Sequence, residues 1–336
     1  MDRSKPLRNL LNAVAFSNGD MIKGMTSYSE FNNYWVGTLN YPEPDQMYMF
    51  QVSNKDTLKV SGVPVDPSST PVSIVEGWNW IGFTPQVNIN INDALGQFNP
   101  NQGDLIKSQF AFSMYDELMG WVGTLEFLKP NQGYKYKYVP TGAAPDTQLL
   151  YYPKMGSMLK SSRKTEGQEP SPSISTWNQY QHNMSLVAKV EGIEQDEHDE
   201  IYAYAGDELR GKASPVRLDN GQYLYFITLY GNQDQTSLSF TYNHKDQTYP
   251  LDETIQFNPT TVRGSTAEPY IFDLSGEVST TGVPEEMVFE AYPNPFDEEF
   301  KVSLKQRADT PVEIKLINTK GDVVKAISGI KDNNIV

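Results

Sequence analysis

An internal repeat limits the folds open to this chain more than any other feature of its sequence. The peptide Gly-Asp-Met-Ile-Lys at residues 19–23 is matched by Gly-Asp-Leu-Ile-Lys at 103–107, and Trp-Val-Gly-Thr-Leu occurs at both 35–39 and 121–125. The spacing between matching residues changes from 84 to 86, which indicates an insertion of two residues in the second copy. Self-similarity of this kind is typical of a structural unit that occurs twice.

The second copy is preceded by a strand-like segment, residues 77–83, that has no counterpart in the first copy. We therefore expect a truncated first repeat at residues 1–66 and a second β-rich repeat at residues 67–153. The apolar run at residues 10–16 is too short for a membrane-spanning helix and is a poor signal sequence. We expect the true N-terminus and a signal peptide to lie upstream of Met1, so that the chain is a fragment.

The distribution of aromatic and turn residues predicts an all-β, multi-domain protein. With 20 Tyr, 15 Phe and 5 Trp beside many Gly and Pro, the composition favours strands joined by turns. Apolar residues at helical spacing predict one short helix in each repeat, at 91–98 in the second. Polar residues 154–176 predict a linker, and alternating segments within 177–275 predict a β-sandwich. A second linker is expected at 276–286.

Five aromatic residues of the second repeat are candidates for a ligand platform. Tyr134 and Tyr136 are two residues apart, as are Trp78 and Trp80, so each pair lies on one face of a strand. An exposed face of this kind can stack against sugar rings, whereas a packed one is an ordinary half-buried sheet face. The packed face is the commoner arrangement, because Tyr and Trp are frequent in strands. Trp121, from the repeated pentapeptide, completes the set.

Composition excludes several classes of function. The formal net charge of -15 repels nucleic acid, and the absence of cysteine rules out disulfides and thiolate chemistry. His182, His198 and His244 are scattered, without the spacing of a zinc site or a Ser-His-Asp triad. The acidic run at residues 194–200 predicts a solvated loop or, alternatively, a calcium site. No catalytic residue, no other metal and no organic cofactor is predicted.

The predicted β-sandwich resembles a module that recurs in secreted bacterial proteins. Residues 201–211, 229–232 and 255–257, with Gly264, Ser265, Pro269 and Tyr270, are similar to a module of secreted Bacteroidetes proteins. The repeats are similar to segments found beside that module. The resemblance implies a β-sandwich in an exported protein and no particular activity.

A more specific resemblance lies in residues 287–336. A Tyr-Pro-Asn-Pro-Phe box, two alternating segments and a turn ending at Gly321 resemble the C-terminal sorting domain of type IX secretion substrates; the box consists of Tyr292, Pro293, Asn294, Pro295 and Phe296. The resemblance implies export to the cell surface or the medium, with the type IX machinery as a partner. The family pattern continues through further strands, so we expect a partial domain with one open sheet edge.

These features predict a non-catalytic accessory region of a secreted or cell-surface bacterial protein. Its role would be adhesive or glycan-binding, with glycans or surface proteins as partners. The alternative is the C-terminal part of a secreted hydrolase, a peptidase or glycosidase, whose catalytic domain lies upstream of Met1.

Overall fold

The computed structural model describes residues 5–141, 145–154, 176–245 and 247–274, and the backbone of four strands between 288 and 330. The all-β prediction is confirmed: the described residues form several sheets, antiparallel except where the strands Val262–Arg263 and Tyr270–Asp273 pair in parallel with the strand His182–Glu191, and only two short α-helices. The chain divides into two compact units, Met1–Leu274 and Ser275–Val336. The predicted boundaries inside the first unit stay a prediction, and most of the predicted linker, residues 155–175, lies outside the described residues.

The first repeat forms a four-stranded sheet with one short helix. Its elements in chain order are α1 (Leu7–Leu10), β1 (Met21–Lys23), β2 (Tyr28–Phe31), β3 (Trp35–Gly37) and β4 (Met49–Gln51). The strands pair in the order β3-β2-β1-β4, and all pairs are antiparallel. The sequence reasoning did not locate α1, although Leu7, Leu10 and Leu11 have the spacing of one helical face.

The main sheet of the second repeat has the same strand order as the first, with one additional strand at its edge. Its elements are β5 (Val72–Val75), β6 (Gly77–Gly82), β7 (Ile89–Asn90), α2 (Ile91–Ala94), β8 (Leu105–Lys107), β9 (Phe112–Asp116), β10 (Gly120–Gly123), β11 (Phe127–Leu128), β12 (Gly133–Tyr138) and β13 (Thr147–Leu150). The main sheet runs β10-β9-β8-β12-β6, with small pairs β11-β7 and β13-β5 beside it. The helix is shorter than predicted, because Gly96 follows its C-cap and favours a turn there.

Matching hydrogen bonds hold the two repeats in the same backbone frame. Asp20 Oδ2 accepts from the Ser17 amide at 2.9 Å and Asp20 Oδ1 from the Ser53 amide at 2.7 Å. The equivalent bonds of Asp104 come from the amides of Asn101 and Val139, at 3.0 and 2.7 Å. Each Gly-Asp turn is therefore closed by its own carboxylate.

The glycine of the repeated pentapeptide is required by a close backbone approach. A Cβ atom on Gly37 would lie 2.3 Å from the carbonyl oxygen of Tyr28, and one on Gly123 would lie 2.4 Å from that of Phe112. Both glycines also have positive φ, near 150°. Only a residue without a side chain fits where β3 and β10 leave their neighbouring strands.

Residues 176–274 form a sandwich of two sheets. Its strands are β14 (His182–Glu191), β15 (Glu200–Ala205), β16 (Glu208–Ala213), β17 (Pro215–Arg217), β18 (Tyr223–Gly231), β19 (Ser237–His244), β20 (Gln247–Gln256), β21 (Val262–Arg263) and β22 (Tyr270–Asp273). One sheet runs β17-β18-β14-β21, with β22 also paired to β14, and the other runs β16-β15-β19-β20. Alternating residues of the two sheets, such as Ile227 and Phe240, meet in a shared core.

The second repeat packs directly against the sandwich. Leu105, Phe112 and Met114 of the repeat share a buried apolar cluster with Val187 and Phe226 of the sandwich. The rings of Phe112 and Phe226 are 5.5 Å apart. This cluster covers part of one face of the five-stranded sheet, and Trp78 packs against it.

The second unit contains four described strands: β23 (Val288–Tyr292), β24 (Lys301–Lys305), β25 (Val312–Ile317) and β26 (Val323–Ile330). They form two antiparallel pairs, β23-β24 and β25-β26. Tyr292 ends β23. The other residues of the predicted sorting motif, Pro293, Asn294, Pro295, Phe296 and Gly321, lie outside the described residues.

Candidate functional site

The main sheet of the second repeat divides the predicted platform between its two faces. Tyr136 lies opposite Asn79 in the register of β12 and β6, whereas Lys135 lies opposite Trp80 and Lys137 opposite Trp78. Side chains of directly paired residues point to the same face of a sheet. Tyr134 and Tyr136 therefore face one way, and Trp78 and Trp80 face the other.

The tyrosine face forms the core of the second repeat. Tyr134 and Tyr136 are 0% exposed and Trp121 is 8% exposed. The Trp121 and Phe98 rings pack edge-on against Tyr136, with centroids at 5.8 and 5.5 Å. Because these rings are covered by other side chains, they offer no open face to a ligand. The five predicted residues do not share one surface.

The opposite face carries a group of residues that we call the lysine–tryptophan cluster, formed by Trp78, Trp80, Lys107, Lys135 and Lys137. Lys107 Nζ lies 4.9 Å from the centre of the Trp78 ring, and Lys135 Nζ lies 4.9 Å from that of Trp80. Lys107 and Lys135 are directly paired across β8 and β12. These contacts have the geometry of cation–π interactions.

The electrostatics of the cluster are dominated by Lys107. Its side chain is 2% exposed, and its Nζ donates to Asn183 Oδ1 of the sandwich at 2.8 Å. Burial, the largest cause, together with the nearby charges of Lys135 and Lys137, lowers the pKa of Lys107 to about 7. Burial also lowers the pKa of Lys135, with a smaller contribution from Lys23.

The three lysines of the cluster lack acidic partners within the described part of the chain. The lysine ion pairs found there involve Lys154, Lys189 and Lys212 instead. Half-buried ammonium groups beside indole rings can bind anions through charge-assisted hydrogen bonds and can pack against apolar ligand faces. The sequence reasoning selected the tryptophans but not the lysines. The strict alternation of Lys135 and Lys137 with tyrosines was the signal that could have found them.

A second polar group lies inside the sandwich. His244 is buried, and its Nδ1 lies 2.8 Å from Asp199 Oδ1. Tyr242 donates its hydroxyl to Asp199 Oδ2, and its ring stacks on that of His244. The sequence pattern shows His244 only as one of three scattered histidines. Its position two residues after Tyr242 on the alternating strand β19 was the overlooked signal.

The fold places the acidic side chains of residues 194–200 in different environments. Asp199 points into the sandwich, whereas Glu197 and His198 are exposed, and Asp196 Oδ1 lies 2.9 Å from His198 Nδ1. Within the residues that the structure describes, no group of three or more acidic or histidine side chains is arranged to hold a metal ion. The calcium site stays a prediction.

No helix in the described part of the chain has the length and apolar character needed to span a membrane. Residues 290–335 match the family model described as a secretion system C-terminal sorting domain. We found no significant match among curated proteins and none among solved structures. The match covers the region where the sequence resembled type IX substrates. The chain therefore carries a type IX sorting domain and is a secreted or cell-surface protein.

Proposed function

We propose that residues 5–274 form a non-catalytic binding region of the exported protein, and that its ligand is an acidic glycan held at the lysine–tryptophan cluster. The observation that carries the proposal is the set of three lysines that have no acidic partner among the described residues, in a chain of formal net charge -15. An unpaired group of cations is costly unless an anion completes it. Export places the region where extracellular polysaccharides occur.

The chemistry of the cluster matches that of a carboxylated or sulfated sugar. Lys135 and Lys137 are only partly buried, so their ammonium groups can reach a bound anion. Trp80, also half-buried, offers an apolar surface to the C–H face of a sugar ring. An anion near Lys107 would favour its protonated form, because an opposite charge raises the pKa of an amine.

The test measures binding of the full chain to carboxylated and sulfated polysaccharides, with polygalacturonate and heparin as probes and neutral dextran as the comparison. We expect the double variant Lys135→Gln/Lys137→Gln to weaken binding by about tenfold or more. Binding should also be tighter at pH 6 than at pH 8, because Lys107 gains its proton in this range.

Lys189→Gln is the matched control, because Lys189 is half-buried on the sandwich and already pairs with Glu191 at 2.8 Å. Binding by the control should equal that of the wild type. Equal loss in both variants, or equal binding of dextran, would contradict the assignment of the cluster. Release of reducing sugar from either acidic probe would instead support a glycosidase.

A further inference from the structure

The first repeat packs against the same sheet face that carries the lysine–tryptophan cluster. Gly82 and Gly133 are directly paired across β6 and β12, and Gly133 lies on the lysine face because it is two residues before Lys135. A Cβ atom on Gly133 would lie 2.3 Å from Met47 Cγ, and one on Gly82 would lie 2.3 Å from the Pro44 carbonyl oxygen. The first repeat therefore occupies space on this face that two side chains would otherwise fill.

Backbone hydrogen bonds fix this contact beside the cluster. The Met47 amide donates to the Trp80 carbonyl oxygen at 3.3 Å, and the Gly82 amide donates to the Asp45 carbonyl oxygen at 2.8 Å. Trp80 is the residue whose ring centre lies 4.9 Å from Lys135 Nζ. The first repeat is therefore bound to β6 next to one of the cation–π contacts of the cluster.

Lys23 brings a fourth ammonium group to this part of the molecule. It corresponds to Lys107 of the second repeat, because each is the last residue of the matching Gly-Asp segment. In β1 it pairs with Met49, two residues after Met47, which packs on the cluster face. Burial lowers the pKa of Lys135, and the positive charge of Lys23 lowers it as well. The two ammonium groups are therefore close enough to repel each other.

This repulsion is not relieved within the described part of the chain. The lysine ion pairs there do not include Lys23 or Lys135. Lys23 is exposed and Lys135 is partly buried, so a bound molecule can reach both ammonium groups. Neighbouring like charges disfavour each other's charged forms, whereas an anion between them favours both. A ligand with more than one anionic group would therefore gain from contact with both lysines.

We infer that the glycan site spans both repeats and that Lys23 is a further binding residue, so that the ligand is an oligosaccharide with acidic groups on successive sugars. Lys135 and Lys137 bind one acidic sugar beside Trp80, and Lys23 binds the acidic group of a neighbouring sugar. Two charged contacts on one ligand strengthen its binding, because the second contact forms within the same complex. This inference rests on the proposed function and extends it.

The test compares galacturonic acid with trigalacturonate, which carries the same acidic group on three linked sugars, by isothermal titration calorimetry on the full chain. We expect the wild type to bind trigalacturonate at least about tenfold more tightly than the monosaccharide. Lys23→Gln should weaken trigalacturonate binding by about three- to tenfold and leave binding of the monosaccharide unchanged. An unchanged affinity of this variant for trigalacturonate would overturn the inference.

Lys55→Gln is the matched control, because it removes the same charge from another exposed lysine of the first repeat. Lys55 follows Ser53, which binds Asp20 at the other end of β1 from Lys23. The control should bind trigalacturonate as the wild type does, and so should Lys23→Arg, which keeps the charge. A loss in either of these variants equal to that in Lys23→Gln would overturn the assignment to the Lys23 charge. Melting temperatures are compared to exclude loss of binding through unfolding.

The same titrations separate failure of this inference from failure of the proposed function. Weaker trigalacturonate binding by Lys135→Gln/Lys137→Gln, with wild-type binding by Lys23→Gln, would reject only the extension onto the first repeat. Should the wild type bind heparin but not galacturonates, a heparin disaccharide and hexasaccharide replace the two sugars and are held to the same expectations. Failure of the wild type to bind any of these acidic probes would reject the proposed function, and this inference with it.

Discussion

The two repeats share a backbone frame but differ in what covers their sheets. In the second repeat one face packs against α2 and β13 and part of the other packs against the sandwich, so that Tyr136 and Phe112 are both fully buried. In the first repeat the equivalent residues, Phe50 and Tyr28, are 43% and 49% exposed. The frame depends on bonds within each repeat, whereas burial depends on what packs against the faces of the sheet, and for Phe112 this is the sandwich. Equivalent positions should therefore respond differently to the same substitution.

The largest difference in stability between equivalent substitutions is expected at the face toward the sandwich. Phe112→Ala should lower the free energy of unfolding by about 3–5 kcal/mol, because it opens a cavity against Phe226. Tyr28→Ala, at the equivalent exposed position, should change it by less than about 0.5 kcal/mol. Urea unfolding followed by circular dichroism measures both. Equal effects would show that the sandwich contributes little to the burial of Phe112.

Removal of the two turn carboxylates, Asp104 and Asp20, should give a smaller difference in stability between the repeats. Asp104→Ala should lower the free energy of unfolding by about 2–4 kcal/mol, because it leaves the amides of Asn101 and Val139 and the Tyr136 hydroxyl without their acceptor. Asp20→Ala should lower the free energy of unfolding by about 1 kcal/mol, because Ser53 is exposed and its amide can donate to water instead. Hydrogen exchange of β8 and of β1 reports each repeat separately. Greater loss of protection in β1 would contradict this order.

Exchange of a single hydroxyl between the repeats should have a smaller effect. Tyr136→Phe places the first-repeat residue in the second repeat and removes the 2.7 Å bond from its hydroxyl to Asp104 Oδ2. We expect a loss of about 1–2 kcal/mol in urea unfolding. Phe50→Tyr is the reciprocal change, and it should be close to neutral because Ser53 Oγ already donates to Asp20 Oδ1 at 2.8 Å. A neutral Tyr136→Phe would show that the amides alone satisfy Asp104.

The smallest effect is a difference in acid sensitivity. Burial raises the pKa of Asp104 despite its hydrogen bonds, whereas the bonds from Ser17 and Ser53 outweigh burial and lower the pKa of Asp20. The stability that Asp20 contributes is present above its unfolded pKa, near 3.8, and is lost as pH falls through its folded value. The contribution of Asp104 has the opposite sign: it is present below pH 3.8 and is lost as pH rises through its folded pKa.

Acidification from pH 5 to pH 3 should therefore weaken the first repeat relative to the second. The measurement is urea unfolding at both pH values, comparing the wild type with Asp20→Asn and Asp104→Asn. Asp20→Asn should reduce the acid sensitivity and Asp104→Asn should increase it. The same direction of change in both variants would contradict the opposite signs of the two pKa shifts.

Much of the fold could be predicted from local patterns, and much of the candidate site could not. Alternation in β12 and β19 indicated strands, and the repeated pentapeptide marked β3 and β10. The same alternation left open whether the Tyr136 face or the Lys135 face formed the core of the repeat. It also gave no sign that Lys107 would be covered by Asn183, which is remote in sequence.

The sequence by itself determined the strand-rich class, the paired Gly-Asp turns and the region that matches a sorting domain, because these depend on short-range spacing. Only the tertiary structure decided which faces are buried, because a period of two assigns side chains to two faces without saying what covers either. In the second repeat α2 and β13 cover one face, and the sandwich, which is distant in the chain, packs against part of the other. The first repeat, built on the same frame, keeps Tyr28 and Phe50 exposed.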